Sequence, residues 1–495
     1  MPPRWHSRRV LVTTMLMASA GLAAQAPLPD NPDKIAAAWV DTTFRKLTLE
    51  DKLGQLVFVN ASAGYLPSDT NEFDALQQKV KQLRPGGVHL ATASAGSDAL
   101  SSAVLINRLQ ALSALPLLAT GDVAGTIGVG TIGATPFPHE MAVAATGNTD
   151  LAYEAGRFAG IEARALGLHV IFSPFTSADA GPRALDGAYL KGVRAGGAFG
   201  GVRTAARPAG DAKLTRASED PIFVDAAGLD VAEVVRAISA GADAVVRAND
   251  ETAVAAAIKA AVGRGDITAA QLDSAVRRLL RAKALIGLQK TRAVPTDEVP
   301  KQVGGRQHAR VALDLSQRAI TLLKDDRNQV PLRVPRDGTL LYLPISNGGD
   351  SGAPMQAEVR RRWPGVTMVE ISGRSSPAEL DLVRANVSHY DGVLVCVFSR
   401  AGSAPPQDLP APVATFLTDL ARATTNTPRP LVIALFGNPL TALAVRALPA
   451  IVLSYDADEP AQSAAARALA GEAPISGKLP VALPGFLEQG WGIVR

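Results

Sequence analysis

The sequence predicts two α/β units in tandem: a parallel (β/α) barrel of the TIM type with one β/α unit missing, then a separate α/β domain. Three observations carry this. Seven short apolar runs, at 56–60, 87–91, 116–120, 168–174, 198–203, 221–226 and 242–247, alternate with longer amphipathic stretches, the pattern of parallel βα units. Between Asp211 and Asp220 only eight residues intervene, too few for a crossover helix in a fold that regularly has eight strands. Beyond residue 305 a second series of runs follows at 320–324, 339–345, 366–371, 391–398, 430–436 and 450–455, ending in a proline-bounded strand over 479–484.

The amino terminus reads as a secretory leader. Arg4, Arg8 and Arg9 precede an uncharged run at 10–24, and Ala24-Gln25-Ala26 offers a small-residue cleavage site. Residues 1–26 are therefore expected to direct export to the periplasm or medium. The apolar run is shorter than the ~20 residues that span a bilayer, so no stable membrane insertion is expected after cleavage. The leader also carries three of the basic residues behind the formal charge of +4. No basic stripe remains to suggest a nucleic-acid partner.

The 495-residue chain is 47% hydrophobic and 19% charged, which supports large cores and excludes wholesale disorder. Its single cysteine, Cys396, lies in the apolar run GVLVCVF and reads as a buried strand residue with no disulfide role.

The first unit is expected over 33–287. A helix begins near Asp33, and Thr48 with Asp51 forms a capping-box pattern before the first strand. The last helix of the unit, 268–286, opens on another such pattern, Thr268 with Gln271. Leu272, Val276, Leu279 and Leu280 share one of its faces, and Arg277, Arg278, Arg281 and Lys283 lie largely elsewhere. Residues 288–305, LQKTRAVPTDEVPKQVGG, lose the periodicity and read as a linker to a second domain at 306–495.

Several segments together resemble glycoside hydrolase family 3 of the β-N-acetylglucosaminidase and β-glucosidase type. They are LTLEDKLGQL (47–56), FPHEMA (137–142), ATGNTDLAYEAGR (145–157), ARALGLH (163–169) leading to FSP (172–174), GAD (241–243), RRLLRAK (277–283), GNP (437–439) and GKLPVALP (477–484). Their order and spacing make the resemblance specific. It implies a TIM-type barrel followed by an α/β sandwich domain, acting as a retaining exo-glycosidase on β-linked sugars.

A retaining glycosidase needs a nucleophile at the anomeric carbon and a partner that protonates the leaving oxygen. The resemblance places the nucleophile at Asp225, in IFVDAA (222–227), at the end of a predicted strand. The competing reading of Asp225 is a cap for the next helix, which is predicted to begin near Leu229. The acid/base loop of the family carries two histidines in the pattern KHFPGHGD. Here VRTAARPAGD (202–211) takes its place, with Arg203 for the sugar-binding lysine, Asp211 retained and both histidines lost.

The sugar cradle is also altered. ATGDVAG (119–125) keeps Asp122, displaced by one position from the family's aspartate, and the acid and arginine that should follow are replaced by small residues. Asp122, Arg203 and Asp211 are the expected substrate-binding residues. Glu459 and Asp408 of the second domain are candidates for a replacement acid. His89 and His169 lie on or beside apolar strands and read as packed histidines. No metal-ligand spacing or nucleotide fingerprint is present, so neither metal nor cofactor is expected. The expected partner is a carbohydrate substrate or glycan ligand. The losses predict impaired or absent turnover, the alternative being a non-catalytic homologue that binds a glycan or a partner protein.

Overall fold

A computed structural model describes residues 27–91, 97–121, 131–172, 183–204, 214, 219–335, 337–346, 352–399 and 409–495. The predicted leader, Asp122, Asp211 and Asp408 lie outside these residues. Among the described residues no helix is long and apolar enough to cross a membrane.

The first half alternates strands and helices. The strands are β1 (Phe58–Ser62), β2 (Gly87–Ala91), the two-residue β3 (Ser97–Asp98), β4 (Leu118–Gly121), the two-residue β5 (Thr131–Ile132), β6 (Val170–Phe172), β7 (Phe199–Thr204), β8 (Ile222–Asp225) and β9 (Ala244–Val246). Helices α1 (Lys34–Lys46) and α2 (Leu49–Gln55) lead in. Then come α3 (Asn71–Leu83), α4 (Ala99–Leu112), α5 (Glu140–Thr146), α6 (Thr149–Ala165), α7 (Arg183–Ala195), α8 (Val231–Ser239), α9 (Glu251–Arg264) and α10 (Ala269–Ile286). The two expected capping boxes are formed, by Thr48 with Asp51 and by Thr268 with Gln271.

Seven of these strands make one parallel sheet in the order β1-β2-β4-β6-β7-β8-β9. At its edges Val57, just before β1, forms a parallel bridge with Val245 of β9, and the Val245 N–H donates to the Leu56 carbonyl at 2.8 Å. β7 and β8 are direct neighbours, with Val202 opposite Ile222 and Thr204 opposite Val224, so no strand stands between them.

Alternation along the strands sorts the side chains onto two faces. Phe58, Leu118, Val170, Phe172, Phe199, Phe223, Ala244 and Val246 share one buried cluster, the inner face. Phe223 stands edge-on to both Phe58 and Phe172, with ring centres 5.5 Å apart in each pair. The space is full: a Cβ on Gly201 would come 2.7 Å from the Phe172 ring. Val57, Ile222, Val224 and Val245 point the other way and pack with α8, α9 and α10.

Charge on α10 is not confined to its outer side as the periodicity suggests. Lys283 is fully buried, its Nζ donating to Gln55 Oε1 at 2.5 Å. Burial, helped by Arg292, pulls its pKa down to about 7. The reason is that α10 is covered nearly all round, with Ala275, Ala282, Ala284 and Leu285 buried beside the predicted stripe.

Residues 288–305 are packed rather than loose. Asn107 of α4 exchanges two hydrogen bonds with Val294, at 2.8 and 2.7 Å, and Val299 is buried in the short helix α11 (Val299–Gln302). Helix α12 (Arg306–Ala319) then leads into the second half.

That half contains β10 (Thr321–Asp325), β11 (Leu340–Ser346), α13 (Ala353–Arg362), β12 (Val366–Met368), α14 (Pro377–Asn386), β13 (Gly392–Phe398), α15 (Ala411–Thr424), β14 (Leu431–Phe436), β15 (Ala450–Ser454) and α16 (Glu459–Leu469). Its six strands form one sheet, β10-β15-β14-β13-β11-β12, parallel except for β10 against β15. Cys396 is buried in β13, as expected. The strand expected over 479–484 does not form. That apolar stretch instead doubles back on the carboxyl terminus, the Leu479 N–H donating to the Trp491 carbonyl and the Gly490 N–H to the Leu479 carbonyl.

Candidate active site

Asp225 is the last residue of β8, opposite Val246 of β9. Two residues after Phe223, it falls on the inner face of the sheet at the carboxyl ends of the strands. Its strand is fixed from the other end by the GAD motif. Asp243 Oδ2 accepts the Ile222 N–H at 2.9 Å, and Asp243 Oδ1 pairs with Arg278 of α10 at 2.8 Å.

The capping reading of Asp225 is overturned. α8 starts at Val231 and takes Asp230 as its cap, in a capping box with Glu233. The Asp225 carboxylate does other work: Oδ1 accepts the Ala227 N–H at 3.1 Å and lies 3.3 Å from Arg247 Nε.

Arg247 was not singled out by sequence reasoning, although it ends the apolar run 242–247. It follows β9 with φ of 59°, a left-handed conformation uncommon for a residue with a side chain. Its side chain is about one-third exposed. On the adjoining strand, Asn60 of β1 donates from Nδ2 to the Ala248 carbonyl (2.7 Å) and from its N–H to Glu251 Oε1 (2.9 Å). Glu251 is buried and pairs with Lys79 through its second oxygen at 2.8 Å. The carboxyl ends of β8, β9 and β1 are thus tied together by polar contacts.

Of the expected binding residues, only Arg203 falls among those described, in β7 opposite Phe223. His89 is buried on β2, its Nδ1 2.9 Å from Thr120 Oγ1 and its ring 6.5 Å from that of Phe172. His169 is buried before β6, with Nδ1 accepting the Ala119 N–H at 2.8 Å; burial, then Arg164 and Lys283, keep its pKa well below the usual value. Both are packed histidines, as the sequence suggests. Glu459 is exposed at the start of α16. Among the described residues no group of His, Cys, Asp and Glu is arranged to hold a metal ion.

Comparison with known proteins shows what this chain is similar to. Residues 48–188 match the glycosyl hydrolase family 3 N terminal domain. A β-N-acetylglucosaminidase/β-glucosidase of Cellulomonas fimi is 24% identical, the match covering 65% of this chain and 72% of that protein. The chain is thus similar to glycoside hydrolase family 3, whose N-terminal domain its residues 48–188 match.

Solved family 3 structures share its fold. A β-N-acetylglucosaminidase from a Paenibacillus species superposes with a TM-score of 0.67 at 19% identity, over 88% of this chain and 99% of that one. A β-glucosidase of Listeria innocua, crystallised with glucose, gives 0.72 at 18% identity, over 90% of this chain and 76% of that one. These neighbours imply a TIM-like barrel joined to an α/β sandwich.

Proposed function

We propose that this chain belongs to family 3, descends from retaining exo-glycosidases acting on β-linked sugars, is exported, and turns over glycosides weakly or not at all. The observation that carries the reading is the position of Asp225: it ends an inner strand on the inner face, and a different aspartate caps the next helix. In this reading the seven strands close into a barrel one β/α unit short of eight. Asp225 attacks the anomeric carbon as the bond to the leaving oxygen breaks, forming a glycosyl ester that water then hydrolyses. Arg203, with Asp122 and Asp211, contributes sugar contacts.

The weakness lies in proton transfer. The chain has no histidine between His169 and His308, so neither histidine of the family's acid/base loop has a counterpart. General acid catalysis commonly contributes ~10²–10⁴-fold in rate. The second reading, a non-catalytic protein that binds a glycan or a partner, is favoured by the Arg247 ion pair, which engages the Asp225 carboxylate.

The test is covalent trapping. The purified protein is incubated with a 2-fluoro-β-glycoside bearing a dinitrophenyl leaving group and its intact mass is followed. Labelling of the peptide containing Asp225, abolished by Asp225→Ala, supports the first reading. Reversible sugar binding without any label supports the second.

A further inference from the structure

The second half of the chain grips helix α5 of the first half at both ends. At its amino end the His139 N–H donates to Asp456 Oδ2 at 3.0 Å, and His139 Nδ1 pairs with Asp456 Oδ1. At its carboxyl end the Lys478 N–H donates to the Ala145 carbonyl at 2.9 Å. Asp456 is buried just after β15. Two residues on, Asp458 caps α16 through Oδ1, which accepts the Ala461 N–H at 2.9 Å. Its Oδ2 is buried without a hydrogen-bond partner among the described residues. One imidazole therefore faces two carboxylates, with Glu140 beside it and Glu459 next to Asp458 adding negative charge. Among the described residues neither Asp456 nor Asp458 forms an ion pair with a lysine or arginine.

We propose that this junction is a proton-dependent latch: protons held by His139 and Asp458 keep the second domain closed on α5, and losing the Asp458 proton sets its carboxylate against that of Asp456 and loosens α5. The chemistry of the groups supports this. Burial, then the neighbouring Asp456, push the Asp458 carboxyl up to about 7. Burial draws the His139 pKa down, but Asp456, Asp458 and Glu140 together carry it above its ordinary value. Both groups hold a proton more tightly in the folded protein than in the unfolded chain. Their stabilising contribution is therefore greatest at low pH. For Asp458 it falls away from the ordinary carboxylate range up to about pH 7, and for His139 it is lost as pH rises through its raised pKa. The latch has a bearing on the first half of the chain because α5 belongs to the connection between its strands β4 and β6.

Hydrogen exchange of the α5 peptide in the full-length protein tests it, with rates corrected for intrinsic pH dependence. Between pH 5.5 and 8.5 the wild type should lose protection by about ten-fold or more, a change equivalent to one unit of linked pKa shift. Asp458→Asn keeps a capping oxygen but cannot ionise, so it should lose clearly less protection than the wild type over the range, keeping only the part of the loss that His139 contributes. Asp456→Ala should leave α5 poorly protected at both pH values. A wild type with flat protection would overturn the latch, as would an Asp458→Asn variant that loses protection in parallel with the wild type.

Discussion

Arg247 Nε lies 3.3 Å from Asp225 Oδ1, and the arginine holds that place from a left-handed backbone conformation. Two effects can be separated there. Arg247→Ala removes the ion pair and keeps the unfavourable φ, whereas Arg247→Gly removes both. The glycine variant should be the more stable, by about 1 kcal/mol at most, because only glycine occupies this region without steric penalty. Urea unfolding of the two variants measures the difference; a less stable glycine variant would mean that the turn carries no strain.

Leaving-group dependence should report on the proton donor that the proposed function takes to be lost. Aryl β-glycosides with acidic phenols need little protonation, so any turnover should appear with them and fall steeply as the phenol becomes less acidic. Alkyl glycosides should react slowest of all. Equal rates on the two classes would reveal an acid outside the residues considered for that role.

Lys283 should leave a mark on the pH dependence of stability. Its folded pKa of about 7 is lowered from an ordinary 10.5, so the unfolded chain binds more protons between these values. Stability attributable to this residue therefore rises with pH across that window. Lys283→Met should remove the rise, which is read by comparing urea midpoints of variant and wild type at pH 7 and pH 9. Parallel shifts in both proteins would exclude a buried, titrating amine.

Glu162 of α6 is the most demanding polar position in the first half. Its carboxylate accepts from the Thr135 N–H (2.9 Å), the Thr135 hydroxyl (2.6 Å) and the Gly304 N–H (3.0 Å), and pairs with His308 Nδ1 (2.5 Å). Glu162→Ala would leave several buried donors unmatched and should cost about 3–5 kcal/mol. A loss below ~1 kcal/mol in chemical denaturation would show that water replaces the carboxylate there.

Limited proteolysis distinguishes a packed connection from a tether. With Val294 bonded to Asn107, Val299 buried and Gly304 bonded to Glu162, residues 288–305 should resist cleavage in the native protein. Early cutting within that segment would contradict the packing.

Local signals were legible in the sequence where the physics is local. Thr48 with Asp51 and Thr268 with Gln271 start helices because a cap involves only four consecutive residues. The seven apolar runs gave the seven strands of the first sheet for the same reason. Contacts between distant segments were not legible. The Glu162 hub joins residues near 135, 162, 304 and 308, and nothing in any one of those stretches announces the others. Arg247 escaped notice because its partner lies on the neighbouring strand. Residues 479–484 alternate like a strand, but their backbone groups are claimed by the carboxyl terminus. The family resemblance pointed to Asp225, and the helix cap that competed for it falls instead on Asp230, which a local reading did not single out.

The direct pairing of β7 with β8 limits what the inner face can accommodate. A ring of seven strands, as proposed for the first half, has a smaller girth than one of eight. The aromatic triad of Phe58, Phe172 and Phe223 already fills it, and even Gly201 has no room for a methyl group. A sugar ring would have to rest on these phenyl groups as on a shallow floor, with Asp225 and Arg247 at its rim. Such a ligand would be held by loops more than by strands, and changes in those loops would alter its affinity while leaving the floor intact.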